Sequence, residues 1–129
     1  MKEVCVSYCI QSVKGEVLES EYFEGEMTIE RLEYIMEKIE DAECFGVTMT
    51  CVEEGKGFRN VQINKSSVSD SAVFHLNSYN GVSEGDFDND FFVAPAEDIS
   101  ASVLNALYTA MLNNKKAVIP FYQKEGEQL

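Results

Sequence analysis

Residues 80–92 read NGVSEGDFDNDFF and place Glu84, Asp86, Asp88 and Asp90 within seven positions. Carboxylates so spaced have three uses: to hold a hard cation, to meet a cationic partner, or to keep a loop solvated. Asp86, Asp88 and Asp90 fall on positions 1, 3 and 5 of a calcium loop, and Glu97 falls on position 12. Position 6 of such a loop turns through positive φ and requires glycine. Here that position is Phe91, and Pro95 stands near the loop's end. SYNGVSEG before Asp86 reads as a turn rather than a helix, and these three features argue against a helix–loop–helix calcium site. What remains is at most a weak divalent site, and no metal or cofactor is expected. In an extended chain the same residues sort by face. Asp86, Asp88 and Asp90 share one side; Phe87, Asn89 and Phe91 share the other. The expectation is that the aromatics anchor on the core and the acids form a ladder toward solvent or a partner.

A second acidic array stands at helical spacing. Glu30, Glu33, Glu37 and Glu40 follow i, i+3, i+7, i+10, which confines them to about 80° of a helix circumference. They contain like-charge i, i+3 and i, i+4 pairs, each unfavourable by a few tenths of a kcal/mol, roughly. Lysines in their place would favour the isolated helix, so the stripe is expected to face a basic partner. Around it, residues 16–44 hold eleven acids against only Arg31 and Lys38, a local charge of −9; residues 66–114 hold seven acids and no Lys or Arg. Tyr34, Phe87, Phe91 and Tyr22 are the aromatics nearest these acids and the candidates for apolar anchors in such a contact.

Catalytic arrangements are missing. His75 is the only histidine. It shares a strand face with Val73, Asn77 and Tyr79, a structural setting, and nothing in the sequence brings a cysteine to it. There is no phosphate-cradling glycine loop, no GxSxG and no HExxH. Carboxylate pairs drawn from 23 acids would be arbitrary. The chain is therefore expected not to be an enzyme.

The elements that must position these residues are readable from periodicity. Residues 3–13 alternate, with Val4, Val6, Tyr8 and Ile10 on one side, and predict a strand. Lys14-Gly15 turns the chain into a second strand, 16–23, placed at an edge by its acids. Thr28 caps a helix whose stripe is Ile29, Leu32, Ile35, Met36 and Ile39 and which runs to about Ala42. Strands follow at 45–52 and 58–63 around a glycine-containing hairpin, then at 71–79. Asn80-Gly81 is a strong hairpin signal and leads into a sixth strand stopped by Pro95. A final helix starts at Asp98 or Ser100, buries Val103, Leu104, Leu107, Tyr108, Met111 and Leu112, and ends at Asn113-Asn114. VIPFY (118–122) adds a short edge strand. The expectation is one α+β domain over 1–129, with a mainly antiparallel sheet of five to six strands and two helices in the order ββαββββα.

Composition narrows the partners. The net charge is −13, with 10 Lys and Arg against 23 Asp and Glu. That surface repels nucleic acid and anionic membranes and attracts basic proteins. No apolar run has the length of a membrane span or a signal-peptide core. Cys5, Cys9, Cys44 and Cys51 form no CxxC pair, so free thiols in the cytoplasm are expected.

In size, acid-rich helix and lack of catalytic motifs, the whole chain resembles bacterial immunity proteins, the antitoxins that neutralise secreted toxins such as those of contact-dependent growth inhibition. No family residue carries over. The resemblance implies a protein that blocks the active site or nucleic-acid cleft of a basic nuclease toxin. Two rivals use other logic: a phage-type inhibitor that mimics DNA charge against a defence nuclease, and a dimeric small-molecule-binding α+β domain, which would have an apolar pocket with converging polar groups.

Overall fold

Inward apolar positions line up from strand to strand and assemble one layered core. The structure, a computed structural model, describes residues 2–55, 57–79 and 87–113, except for the side chains of Tyr79, Phe87 and Asp88. The strands are β1 (Lys2–Gln11), β2 (Val17–Glu24), β3 (Cys44–Glu53), β4 (Gly57–Lys65), β5 (Ser71–Tyr79) and β6 (Phe87–Pro95). The helices are α1 (Ile29–Ile39) and α2 (Ala101–Leu112), with a 3-10 turn at Ala96–Asp98 before α2. The order ββαββββα is as expected, and the six strands form one antiparallel sheet in the order β2-β1-β3-β4-β5-β6.

Register carries one inward-facing row across the sheet. Val6 of β1 pairs with Met49 of β3, Met49 with Val61 of β4, and Val61 with Leu76 of β5. Leu32, Ile35 and Ile39 of α1 and Val103, Leu104, Leu107 and Met111 of α2 join this row in one core. Both helices therefore cover the same face of the sheet. α1 connects β2 to β3, the two neighbours of β1, and so lies across β1; α2 lies across β3 and β4. Among the described residues no element covers the other face.

Caps set the helix starts. Thr28 Oγ1 accepts from the Arg31 amide at 3.1 Å, and Ser100 Oγ from the Val103 amide at 3.2 Å. α1 ends at Ile39 rather than near Ala42, with Glu40 as C-cap. β2 is an edge strand, as its acids suggested. The β1–β2 turn needs positive φ, and Gly15 supplies it at 88°. β6 runs on through Pro95; an edge strand tolerates proline there because its outer side donates no ladder bond. The Asn80-Gly81 turn, the residues before Phe87 and the 118–122 strand lie outside the described residues. Among the described residues no helix is long and apolar enough to cross a membrane.

Candidate functional site

The first zone is the outer surface of α1. Because Leu32, Ile35 and Ile39 are buried, the helical repeat turns Glu30, Glu33, Glu37 and Glu40 outward, and all four are exposed. The two cations of this region point elsewhere. Arg31 lies over the Phe23 ring, 4.0 Å from its centroid. Lys38 pairs with Glu19 at 2.9 Å and sits over the Tyr34 ring. Among the described residues no ion pair involves any of the four stripe glutamates. Tyr34, expected as an outward anchor, instead turns to the seam between α1 and β2 and meets Phe23 edge-on.

That seam holds a second, internal acid site. Glu19, Glu21 and Phe23 alternate along β2 on the helix side. The buried Tyr8 hydroxyl contacts both Glu19, at 2.6 Å, and Glu21, and the Tyr34 hydroxyl donates to Glu21 at 2.5 Å. Hydrogen bonds from Tyr8 and then Lys38 hold the Glu19 carboxyl below the usual range. Those from Tyr34 and then Tyr8 do the same for Glu21. The full benefit cannot reach both, because Tyr8 has one hydroxyl proton to donate. Burial, reinforced by the two carboxylates, pushes the Tyr8 phenol far above its normal value, so it stays a donor. The cluster fastens β2 to α1 and consumes the acids that would otherwise extend the outer stripe. Its signal in the sequence was the i, i+2 placement of Glu19 and Glu21 in line with Phe23.

The 84–90 ladder comes out differently from its expectation. Glu84 and Asp86, and the side chains of Phe87 and Asp88, lie outside what the structure describes. Asp90 pairs with Leu76 and is in phase with Phe92, whose ring stacks on buried Phe74 at 4.8 Å. Asp90 therefore stands on the helix-bearing side, and Phe91, 66% exposed, stands on the open side. The expectation of aromatics inward is corrected for Phe91. The physical reason is that Phe74 and Ala72 of β5 fix the inner side of this strand pair, and Phe92 and Ala94 match them. Asp90 is only half-buried, so an aspartate is tolerated on the inner side there. Asp90 and the α1 stripe share a side of the sheet, with α2 between them.

A groove of about 480 Å³ opens below the C-terminus of α1. Met36, Ile39, Phe45, Pro95 and Ile99 make its apolar walls, and Glu40, Asp70 and Glu97 stand around it. Lys65, the one cation in its lining, donates to the Glu43 carbonyl at 2.8 Å and the Ser66 carbonyl at 3.3 Å. Glu40 thus belongs both to the α1 stripe and to the groove.

Arg59 was not anticipated. It is 4% exposed on the helix side of β4. Its Nε donates to the Met111 carbonyl at 2.9 Å, and its Nη2 to the Leu112 carbonyl at 3.2 Å and Glu53 at 3.1 Å. It closes the C-terminus of α2, where carbonyls lack helical partners. The readable signal was an arginine in phase with Val61 and Ile63.

No catalytic grouping forms among the described residues. His75 stacks on Phe91 at 5.9 Å on the open face. Cys5 and Cys9 share that face on β1, three strand spacings away, about 14 Å. Cys51 is buried on the opposite side, its thiol pushed up by burial. All four cysteines are free, and no cluster of three or more metal-ligating side chains occurs among the described residues. Comparison with protein-family models, curated proteins and solved structures found no match.

Proposed function

We propose that this chain is an acidic binding protein of the cytoplasm that neutralises a basic protein partner, a nuclease toxin being the partner whose chemistry fits. It would act by covering the active site or nucleic-acid cleft. The observation that carries this reading is the α1 stripe: four exposed glutamates with no ion pair among the described residues, while Arg31 and Lys38 are turned into the β2 seam. A nuclease cleft is basic because it holds phosphates. Uncompensated carboxylates on one helix face compete for that cleft and steer the encounter. Steering alone gives rate rather than affinity, and the groove beside Glu40 supplies apolar area. An arginine or lysine laid along the stripe would set its charge near Glu40 and its stem on Met36 and Ile39.

The test is association with the product of the adjacent gene, read as on-rate and Kd at low and high salt. The expected result is an on-rate that falls at least about tenfold with salt, and a similar loss in Glu33→Lys with Glu37→Lys. Binding indifferent to both sinks the proposal. The groove favours one other reading, a small-molecule site. A ligand whose binding is lost in Ile99→Trp but kept in the double lysine variant would support that instead.

A further inference from the structure

We propose that the sheet face left open by the described elements is the contact surface for a second copy of this chain. The chain carries a net charge of −13. Yet among the described strand residues pointing to this face, only Glu3 and Glu24 are charged, both at one end of β1 and β2. The middle is neutral and mostly short-chained: Ser7, Cys9, Thr48, Thr50 and Asn60, with Gln62 the longer group among them. Larger apolar groups stand at the two edges, Leu18 and Tyr22 on β2, Phe91 and Val93 on β6, exposed by between 58% and 66%.

The polar groups of the middle are already satisfied in part within the sheet. Asn77 Nδ2 donates to Asn60 Oδ1 at 3.4 Å, and Asn60 Nδ2 to Thr50 Oγ1 at 3.1 Å. Dehydrating side chains that bond one another costs less than dehydrating unpaired ones. The area is sufficient. Six strands about 4.8 Å apart and about eight residues long give a face of roughly 750 Å². A standard interface buries about 800 Å² per partner.

Charge selects the occupant. A basic partner is drawn to the acids of the helix side and gains nothing from this face. For a second copy the reverse holds: every acidic surface repels it, and this face lets it approach with both helix layers turned outward. A twofold axis along the strands places the β2 edge of one copy over the β6 edge of the other. Leu18 and Tyr22 then meet Phe91 and Val93 at both rims, the reciprocal contact a closed dimer requires, while the short side chains let the sheets close at the centre.

The inference stands apart from the proposed function, because the two surfaces respond to salt with opposite sign. The mass in solution, measured by light scattering between about 1 and about 200 µM, the range in which an interface of this size without strong anchors fills, tests it directly. Doubling of the 14.5 kDa mass, favoured by added salt, is expected. A monomer throughout overturns it. Thr48→Arg and Phe91→Ser should each weaken the dimer at least about tenfold with unchanged circular dichroism. A dimer indifferent to both also overturns it. Should either variant fail to fold, the wild-type chain decides through alkylation of Cys5 and Cys9. Rates that fall as concentration rises support the interface, and constant rates refute it, with Cys51, buried on the helix side, as the slow internal reference.

Discussion

The two sides of the sheet solve different problems with the same alternating strands. On the helix side, Phe74 of β5 is fully buried and stacks on Phe92; on the open side, Phe91 of β6 is mostly exposed and stacks on His75. Both are phenylalanines in ring contacts on neighbouring strands. One is enclosed within the core; the other, among the described residues, stands open apart from its contact with His75. The helix side also carries most of the charge, in Arg59, the Tyr8–Glu19–Glu21–Tyr34 cluster and the α1 stripe, whereas the open side is almost neutral. Stability and electrostatics therefore belong to one side, and the open side remains a surface.

The largest way to break this contrast is to truncate the paired phenylalanines. Phe74→Ala should cost about 3–5 kcal/mol, because it removes buried area and leaves a cavity. Phe91→Ala should stay within about 0.5 kcal/mol when urea unfolding is followed at low protein concentration, where self-association is absent. Comparable losses at the two positions would mean that the faces are not distinct.

Arg59→Met comes next. It removes the hydrogen bonds of Arg59 to the Met111 and Leu112 carbonyls and its ion pair with Glu53, a loss of about 3 kcal/mol for a largely buried pair. Lysine should restore only part of it, because an ammonium lacks the planar fork that serves two carbonyls and a carboxylate together. Equal unfolding midpoints for Arg59→Met and the wild type would show that α2 closes without it.

How much of this was legible depended on which rule decided each element. Strand order along the chain, both helices and the Thr28 cap follow from period and turn chemistry, and these hold; for α2 the structure selects Ser100 over Asp98 as the cap. The orientation of β6 did not follow. Phe91-Phe92-Val93-Ala94 is apolar on both phases, so alternation defines two sides without saying which is inner. That choice is made by β5, through Phe74 opposite Phe92, and pairing across strands is not written in one strand's own pattern. Arg59 was legible in phase but not in purpose, since the carbonyls it serves lie 52 and 53 residues away. The α1 stripe was legible because helical spacing alone turns it outward, but the inward turn of Tyr34 and Lys38 needed β2 beside it.

The seam cluster allows a pH test of the helix side alone. Glu19 and Glu21 have folded pKa values below their ordinary ones. Their contribution is therefore complete above the unfolded carboxylate range, near pH 4.3 or so, and is lost as pH falls toward the lower folded values. Unfolding midpoints of the wild type should fall between neutral pH and about pH 3. Tyr8→Phe, which removes the shared donor, should flatten that dependence, whereas Thr48→Ala on the open face should leave it unchanged. Parallel pH curves for Tyr8→Phe and the wild type would show that the carboxylates gain nothing from the phenol.

The smallest effect is the most informative about purpose. Glu33 and Glu37 are like charges one turn apart on the exposed side of α1. Replacing Glu37 with lysine converts the pair to the favourable i, i+4 order, a gain of a few tenths of a kcal/mol, roughly, that shrinks with salt. The core contacts of Leu32, Ile35 and Ile39 are untouched, so circular dichroism should not change. A protein made slightly more stable by removing an acid it keeps exposed holds that acid for something other than its fold. If Glu37→Lys instead destabilises α1, the stripe is structural, and the argument from electrostatic cost to a cationic partner fails at its first step.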